Sequence, residues 1–249
     1  QVSAVIFDEI HERSLNADLG LALALETQAV FRDDLHLIAM SATLDTEKVA
    51  AKLDAPVIES QGRQYPVETK YLGRTRERIE DQMAAAIDKT VRAETGSVLA
   101  FLPGAGEIRR TAERLGNLPG GVTVHPLFGA LSPKEQDEAV RPAPDGHRKV
   151  VLATDIAESA LTIDGVHVVV DSGLARVPEF DPASGTQVLR TIRAARANVD
   201  QRRGRAGRLG PGVCYRLWDE EETRGLIAAP SPEILNADLS GLMLSLAEW

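Results

Sequence analysis

Short runs of apolar residues alternate along this chain with segments whose apolar residues recur every three or four positions. The runs are rich in β-branched side chains, as is typical of strands buried on both faces of a parallel sheet. We predict strands at residues 2–7, 35–40, 98–102, 122–127, 150–153, 166–170 and 213–217. We predict helices at residues 15–30, 79–91 and 107–115, and a short one after Asp45. Strands that alternate with helices in this way predict an α/β fold built of βαβ units.

Three segments depart from that alternation. Residues 61–71 contain Gly62 and Pro66 and are interpreted as a connector. Residues 174–180 and 186–192 flank the turn-forming segment 181–185, which predicts a long β-hairpin. The last apolar residues fall at steps of four and three, which indicates one face of a helix; they are Leu235, Leu239, Leu242, Leu246 and Trp249. Because this helix follows two prolines, we expect it to open a further domain.

Composition narrows the class of protein. The 249 residues are 43% hydrophobic and 26% charged, a balance typical of an ordinary globular protein with one large or two smaller domains. A single cysteine, Cys214, excludes a disulfide framework and a cysteine-rich zinc site. No apolar stretch approaches the roughly 18 residues of a membrane span, and the N-terminus lacks a signal-peptide pattern. We therefore expect a cytoplasmic protein with no membrane partner.

The charge is acidic overall but basic in one place. The chain has 28 basic and 37 acidic residues, a formal net charge of −9. Between residues 190 and 208, however, seven arginines accompany one acid, Asp200. Such a cluster on an acidic chain indicates a local surface that faces phosphates. The alternative is a solvated helix face.

Acidic and polar side chains follow the predicted strands. Asp8-Glu9-Ile10-His11 comes directly after the first strand, and ligands of open α/β sheets bind at the carboxyl ends of strands. An Asp there typically holds Mg²⁺ on a nucleotide, and a neighbouring Glu can deprotonate a water molecule. The alternative is a polar exit from the strand. Ser41-Ala42-Thr43 follows the second strand, and Thr154-Asp155 and Thr162–Gly165 lie near later ones.

The most specific segment is Gln201-Arg202-Arg203-Gly204-Arg205-Ala206-Gly207-Arg208. Arginines at 202, 205 and 208 recur every three residues, so on a helix they would lie along one side. The two glycines permit close backbone approach, although each costs a helix about 1 kcal/mol. Guanidinium groups arranged in this way suit the transition state of phosphoryl transfer.

Together these segments resemble, in order and spacing, motifs II, III, V and VI of the DEAH/DExH helicases of superfamily 2. Phe101–Gly104 and Leu127–Ser132 resemble motif IV and the segment after it, and the ending is most similar to the bacterial HrpB-type branch. The resemblance implies two RecA-like domains that bind ATP and Mg²⁺. It also implies that residues 1–62 are the C-terminal half of the first domain, 63–228 the second domain, and 229–249 the start of a winged-helix domain.

The resemblance also implies roles for individual residues. Those expected around the nucleotide are Asp8, Glu9, His11, Thr162, Asp164, Gln201, Arg205 and Arg208. Among them Asp8 would hold Mg²⁺ through water, Glu9 would be the general base, and Gln201, Arg205 and Arg208 would complete the catalytic set. Ser41 and Thr43 would couple nucleotide state to domain movement. Gly129, Thr154 and Asp155 would contact nucleic acid, and the hairpin would separate strands.

The activity implied is ATP hydrolysis coupled to translocation on, and unwinding of, single-stranded or partly duplex nucleic acid, RNA more than DNA. The chain contains no Gly-Lys-Ser/Thr, the phosphate-binding loop of such enzymes. We therefore expect it to be a fragment of a longer protein and inactive alone. Two alternatives remain open: a non-catalytic nucleic-acid-binding module derived from a helicase, and a DNA helicase of the same superfamily.

Overall fold

The computed structural model of the chain describes residues 2–42, 46–60, 62, 65–116, 118–158, 163–181 and 183–248. The chain divides into two compact units. The first comprises Gln1–Gln61, Pro178–Arg190 and Pro230–Trp249, and the second comprises Gly62–Val177 and Thr191–Ala229. In the part of the chain that is described, no helix is both long and apolar enough to cross a membrane.

Strands and helices follow one another along the chain as the apolar pattern predicts. The strands are β1 (Ala4–Phe7), β2 (His36–Ala39), β3 (Val67–Tyr71), β4 (Ser97–Phe101), β5 (Val122–Leu127), β6 (Arg148–Ala153), β7 (Val166–Asp171), β8 (Leu174–Asp181), β9 (Thr186–Arg193) and β10 (Gly212–Arg216). The helices are α1 (Leu15–Val30), α2 (Thr46–Leu53), α3 (Ile79–Ala93), α4 (Ala105–Arg114), α5 (Pro133–Val140), α6 (Arg196–Gly204), α7 (Glu220–Arg224) and α8 (Ser240–Glu248). All seven predicted strands and the predicted hairpin are confirmed within a residue or two.

The first unit contains the parallel pair β1 and β2. Helix α1 begins where the sequence predicts, because the Ser14 side chain accepts a hydrogen bond from the backbone N–H of Ala17 and caps the first turn. The ends of the two strands are tied together: Met40 N–H donates to Phe7 O at 2.8 Å, and Ile10 N–H donates to Met40 O at 3.0 Å. The segments that follow β1 and β2 are therefore neighbours.

The second unit is built on a six-stranded parallel sheet in the order β3-β10-β7-β4-β6-β5. Its central strands are buried along their whole length, as their continuous apolar runs predict: every residue of β4 is buried, and so are five of the six in β6. The predicted α/β fold with a parallel sheet is thus confirmed. The carboxyl ends of β4, β5, β6 and β7 lie along one edge.

The interpretation of residues 61–71 as a connector is wrong for its second half. Val67–Tyr71 forms strand β3, which pairs with β10 at the edge of the sheet. Strand β3 has only one neighbour and carries polar residues at 68–70, so it lacks the continuous apolar run that marks the buried strands. Arg203 holds it in place by donating hydrogen bonds to Thr69 Oγ1 and Val67 O.

The C-terminal helix is shorter than predicted. Residues 233–235 form a single 3₁₀ turn, and α8 begins only at Ser240. Two large apolar side chains of α8, Met243 and Leu244, are more than 60% exposed. A winged-helix domain beginning here remains a prediction.

Burial shifts the pKa values of two side chains in the second unit. Lys149 is 2% exposed, and its ammonium group donates to Ala139 O at 2.5 Å and to Arg141 O, which caps the end of α5. Burial lowers the pKa of Lys149 to about 8. Cys214 in β10 is fully buried, and burial raises the pKa of its thiol to about 12.

The buried ammonium group makes a testable prediction about stability. Between pH 8 and pH 10.5 the unfolded chain holds the Lys149 proton more tightly than the folded chain. The free energy of unfolding of the wild type should therefore rise over this range relative to Lys149→Met, by about 1–3 kcal/mol. Urea denaturation at several pH values measures this rise. Lys134→Met, at an exposed position on α5, is the control. If the free energy of unfolding rose equally relative to both variants, the rise would not come from Lys149.

Candidate functional site

The first group of predicted site residues lies where β1 ends. Asp8 follows the strand, and its Oδ1 accepts a 2.8 Å hydrogen bond from the backbone N–H of Glu9. Glu9 has a left-handed backbone (φ 51°, ψ 39°), which costs a non-glycine residue about 1–2 kcal/mol. Buried Ile10, whose N–H is bound to Met40 O, holds the chain in this turn. Strain maintained at a polar turn is typical of functional sites.

His11 connects this turn to the segment after β2. Its Nδ1 accepts a hydrogen bond of 3.3 Å from the Ala42 N–H and lies 3.4 Å from Glu9 Oε2. A backbone N–H can only donate, so Nδ1 is the acceptor in this bond. The contact with Glu9 is then close packing rather than a hydrogen bond. The structure thus brings the 8–11 turn against the segment that begins with half-buried Ser41.

The acidic turn fits Mg²⁺ in the way nucleotide enzymes hold it. Across the described ranges no group of three or more His, Cys, Asp or Glu side chains is arranged to hold a metal ion. Mg²⁺ in phosphate-transfer sites takes one or two carboxylates and completes its shell with phosphates and water. The exposed carboxylate of Asp8, whose Oδ1 is oriented by the Glu9 N–H, matches this donor type.

The predicted nucleic-acid residues lie together at the carboxyl edge of the second sheet. Strands β5 and β6 pair so that Leu127 is opposite Ala153, and Thr154 N–H donates to Leu127 O at 3.1 Å. Asp155 begins a 3₁₀ turn and is exposed. Gly129 is also exposed, and a methyl group on its Cα would meet no atom within 4 Å. The backbone at Gly129 is therefore open to close approach.

Arg205 and Arg208 lie together in another part of the second unit. They line a small cavity of about 10 Å³ with Ile163 and Val166. Asp164 lies between these two residues in the sequence, just before β7. Arg205 is buried and its Nε–H donates to Glu158 O at 2.8 Å, whereas Arg208 is exposed. Gln201 is half-buried on α6.

Thr43 and Thr162, also predicted as site residues, lie outside the described residues.

The interpretation of residues 190–208 as a phosphate-facing cluster is wrong for most of its arginines. Their guanidinium groups bind partners within the fold: Arg190 with Glu179, Arg193 with Glu222, Arg196 with the carbonyls of Thr223 and Arg224, Arg202 with Glu158 and Asp171, and Arg203 with Val67 and Thr69. The expected row of arginines at 202, 205 and 208 is also broken. Helix α6 ends at Gly204 and a 3₁₀ turn follows, so Arg202 and Arg205 are buried while Arg208 is exposed.

Arg202 is the centre of a buried ion-pair cluster that the sequence interpretation missed. Its Nε–H donates to Glu158 Oε2 at 3.0 Å and its Nη1 to Asp171 Oδ1 and Leu174 O, each at 3.1 Å. The guanidinium carbon lies 5.1 Å from the centroid of the Phe101 ring. Two carboxylates share one guanidinium here, and burial raises the pKa of Glu158. Asp171 follows the apolar run of β7 as Asp8 follows that of β1, a signal the sequence does carry.

The base of the hairpin is fastened to the second unit on both strands. On β8, Arg176 pairs with Glu107 at 3.1 Å above Gly104, where any Cβ would overlap the guanidinium group. On the other strand, Arg193 pairs with Glu222 at 2.7 Å and lies over the ring of buried Trp218. Arg176 of β8 and Arg193 of β9 are therefore both held by partners within the second unit.

Comparison with known proteins identifies helicases as relatives of this chain. The family model "Helicase conserved C-terminal domain" matches residues 81–210. The chain is 50% identical over 251 residues to the ATP-dependent RNA helicase HrpB of Escherichia coli K12, across 100% of the chain and 31% of the relative. It is 38% identical to the pre-mRNA-splicing factor ATP-dependent RNA helicase prp22 of Schizosaccharomyces pombe, over 98% of the chain and 22% of that protein.

A solved helicase structure is also similar to this chain. The crystal structure of the Escherichia coli DEAH/RHA helicase HrpB superposes with a TM-score of 0.94 at 49% identity, over 100% of this chain and 32% of that one. The chain thus spans about a third or less of the length of the relatives it matches. The resemblance read from the motifs is confirmed.

The buried cluster makes a testable prediction. Arg202→Met should lower the free energy of unfolding by about 3–5 kcal/mol, because it leaves two buried carboxylates without a counter-charge. Glu158→Gln removes the surplus charge and should cost less than about 1 kcal/mol. Denaturation with guanidinium chloride, followed by circular dichroism, measures the free energies of unfolding of both variants. Arg92→Ala, at an exposed position, is the control.

The pH dependence provides a second measurement of the same cluster. Since the pKa of Glu158 is raised in the fold, the wild type should lose stability relative to Glu158→Gln as the pH rises above about 4.5. A larger loss of stability in Glu158→Gln than in Arg202→Met would show that the guanidinium group does not organise the cluster.

Proposed function

Since the chain belongs to the helicase family defined by the helicase conserved C-terminal domain, in the HrpB-type branch of the DEAH/DExH helicases, we propose that it is part of an ATP-dependent RNA helicase. The observation that carries this proposal is the contact between the Asp8–His11 turn and the segment 41–42. It places a carboxylate pair, a histidine and a hydroxyl-bearing segment at the ends of two parallel strands, where α/β proteins bind nucleotides.

The chemistry proposed is hydrolysis of ATP. Mg²⁺, when bound, neutralises phosphate charge during phosphoryl transfer. Asp8 would hold it through water, and Glu9 would accept the proton of the attacking water. The strained backbone of Glu9 keeps its side chain next to His11 instead of along the strand. His11 bonds to the Ala42 N–H, so a shift of the acidic turn would also displace the Ser41 segment.

The resemblance assigns the remaining roles to residues of the second unit. Arg205 and Arg208 would stabilise charge on the transferred phosphoryl group, with Gln201, Asp164 and Thr162 next to the nucleotide. The burial of Arg205 and its bond to Glu158 O support a fixed direction for its guanidinium group. We also propose the division into residues 1–62 and 63–228 as the two RecA-like parts, with a winged-helix domain beginning at 229, in a cytoplasmic protein.

Nucleic acid would bind at the carboxyl edge of the second sheet. Gly129 presents an open backbone there, and Thr154 follows the neighbouring strand. These groups meet a sugar–phosphate backbone and read no base edges, so the proposal is a single strand bound with little sequence preference. RNA is favoured over DNA because the relatives named above are RNA helicases. Stimulation of ATP hydrolysis by single-stranded RNA and by DNA of equal length is the test.

One prediction concerns the general base, in a protein that carries this chain within the length of its relatives (the extended protein). Glu9→Gln should retain ATP binding but lower turnover by about 10²–10⁴-fold, because the amide keeps the shape of the side chain and loses the base. ATP affinity and steady-state phosphate release measure the two effects. Glu26→Gln, on an exposed face of α1, should leave both unchanged. Turnover within threefold of wild type would remove Glu9 from the role.

A second prediction concerns the hairpin. Replacing 179–186 with a short Gly-Ser turn should preserve RNA-stimulated ATP hydrolysis and sharply reduce duplex unwinding, since the anchors Arg176 and Arg193 lie outside the replaced segment. Both rates are measured on one preparation of the extended protein. Arg190→Ala, which breaks only the exposed pair with Glu179, is the control. Equal loss of both rates would indicate a folding role, and unchanged unwinding would refute strand separation by the hairpin.

A further inference from the structure

One arginine of α4 differs from its neighbours in having no acidic partner. Arg110 pairs with Glu80 and Glu107, and Arg114 pairs with Asp81. Arg109 is exposed and forms no ion pair with any described residue. An exposed guanidinium group without a carboxylate partner keeps its full charge available for an external anion.

Arg109 is nevertheless held in a defined place. Its guanidinium carbon lies 5.6 Å from the centroid of the Phe128 ring, within the range of a cation–π interaction. The Phe128 side chain is itself buried, 5% exposed, so the ring is a fixed support. A guanidinium group that contacts a ring in this way can still donate N–H hydrogen bonds to a phosphate.

Phe128 immediately precedes Gly129, the open backbone position at the end of β5. Around Gly129 a methyl group would meet no atom within 4 Å, and Gly129 and Ala130 are both exposed. The Leu131 N–H donates to Phe128 O at 3.1 Å, which fixes the turn that presents this open backbone. A fixed cation therefore lies beside an open stretch of surface at the edge where Thr154 also lies.

We propose that Arg109 binds a phosphate of a single-stranded RNA backbone, held for that contact by the Phe128 ring. The inference rests on the proposed function, since it extends the nucleic-acid site from Gly129 onto α4. The proposed contact is with the phosphodiester, which is the same for every nucleotide. Arg109 would therefore add affinity equally for every sequence.

The test is RNA binding by the extended protein at several salt concentrations. The probes are labelled oligo(U) and oligo(A), followed by fluorescence anisotropy. Arg109→Ala should weaken binding of both by about fivefold and reduce the slope of log affinity against log salt by about 0.7, the value for one phosphate contact on a single strand. Arg92→Ala, an exposed arginine already paired with Asp88, should change neither quantity. Phe128→Leu, which keeps an apolar side chain but removes the ring, should lose part of the affinity.

The outcomes separate this proposal from the function on which it rests. If the wild type binds RNA and Arg109→Ala binds it with equal affinity and equal salt slope, the Arg109 proposal is wrong and the helicase proposal stands. A loss confined to one of the two probes would show base recognition and would also overturn it. If the wild type neither binds RNA nor hydrolyses ATP in response to it, both proposals fail.

A kinetic measurement distinguishes a phosphate contact from a folding role. In RNA-stimulated ATP hydrolysis, Arg109→Ala should raise the RNA concentration for half-stimulation by about fivefold and leave the rate at saturating RNA unchanged. A lower saturating rate accompanied by a lower melting temperature would assign Arg109 to the fold and contradict the proposal.

Discussion

The second unit depends on the burial of one guanidinium group. Arg202 is 1% exposed and binds Glu158, Asp171 and the backbone of Leu174, and its guanidinium carbon lies 5.1 Å from the centroid of the Phe101 ring. A buried charge without partners costs several kcal/mol. The ends of β4 and β7, the turn that carries Glu158 after β6, and the start of β8 must therefore be in place at the same time. The same residue fixes α6, and with it the positions of Gln201 and Arg205. The end of β7, the first residue of β8 and helix α6 are thus joined by one set of bonds.

The sequence predicts the fold wherever burial is uniform. Strands β4, β6 and β7 are buried on both faces, and their apolar runs locate them to within one or two residues. Strand β3 is missed because an edge strand has a neighbour on one side only and tolerates polar residues. Helix α5 is not predicted either, although Ser132 and Glu135 form a capping box at its start. The capping box consists of two polar residues, so an analysis based on apolar periodicity does not detect it.

The site residues, like the strands, divide into those that the sequence predicts and those that it does not. Acids that directly follow an apolar run, such as Asp8, are visible in the sequence because a charge stands at the end of a predicted strand. Whether an arginine is paired within the fold cannot be read from the sequence, because its partners lie far away along the chain. Arg203 reaches Thr69 across 134 positions, and Arg202 reaches Glu158 across 44. Charge density along the sequence therefore overstated the surface available to phosphates. Arg109, which pairs with no acid among the described residues, lies outside the dense segment.

Cys214 has a practical consequence for studying motion in this protein. It is the single cysteine of the chain, it is 0% exposed, and its thiol stays protonated far above neutral pH. Maleimides and iodoacetamides react with exposed thiolates, so the native cysteine would remain unlabelled in the folded protein. A cysteine introduced at Ser184, in the turn of the hairpin, would be the one reactive thiol of the chain. Spectroscopic probes can thus be attached at chosen positions while β10 keeps its natural residue.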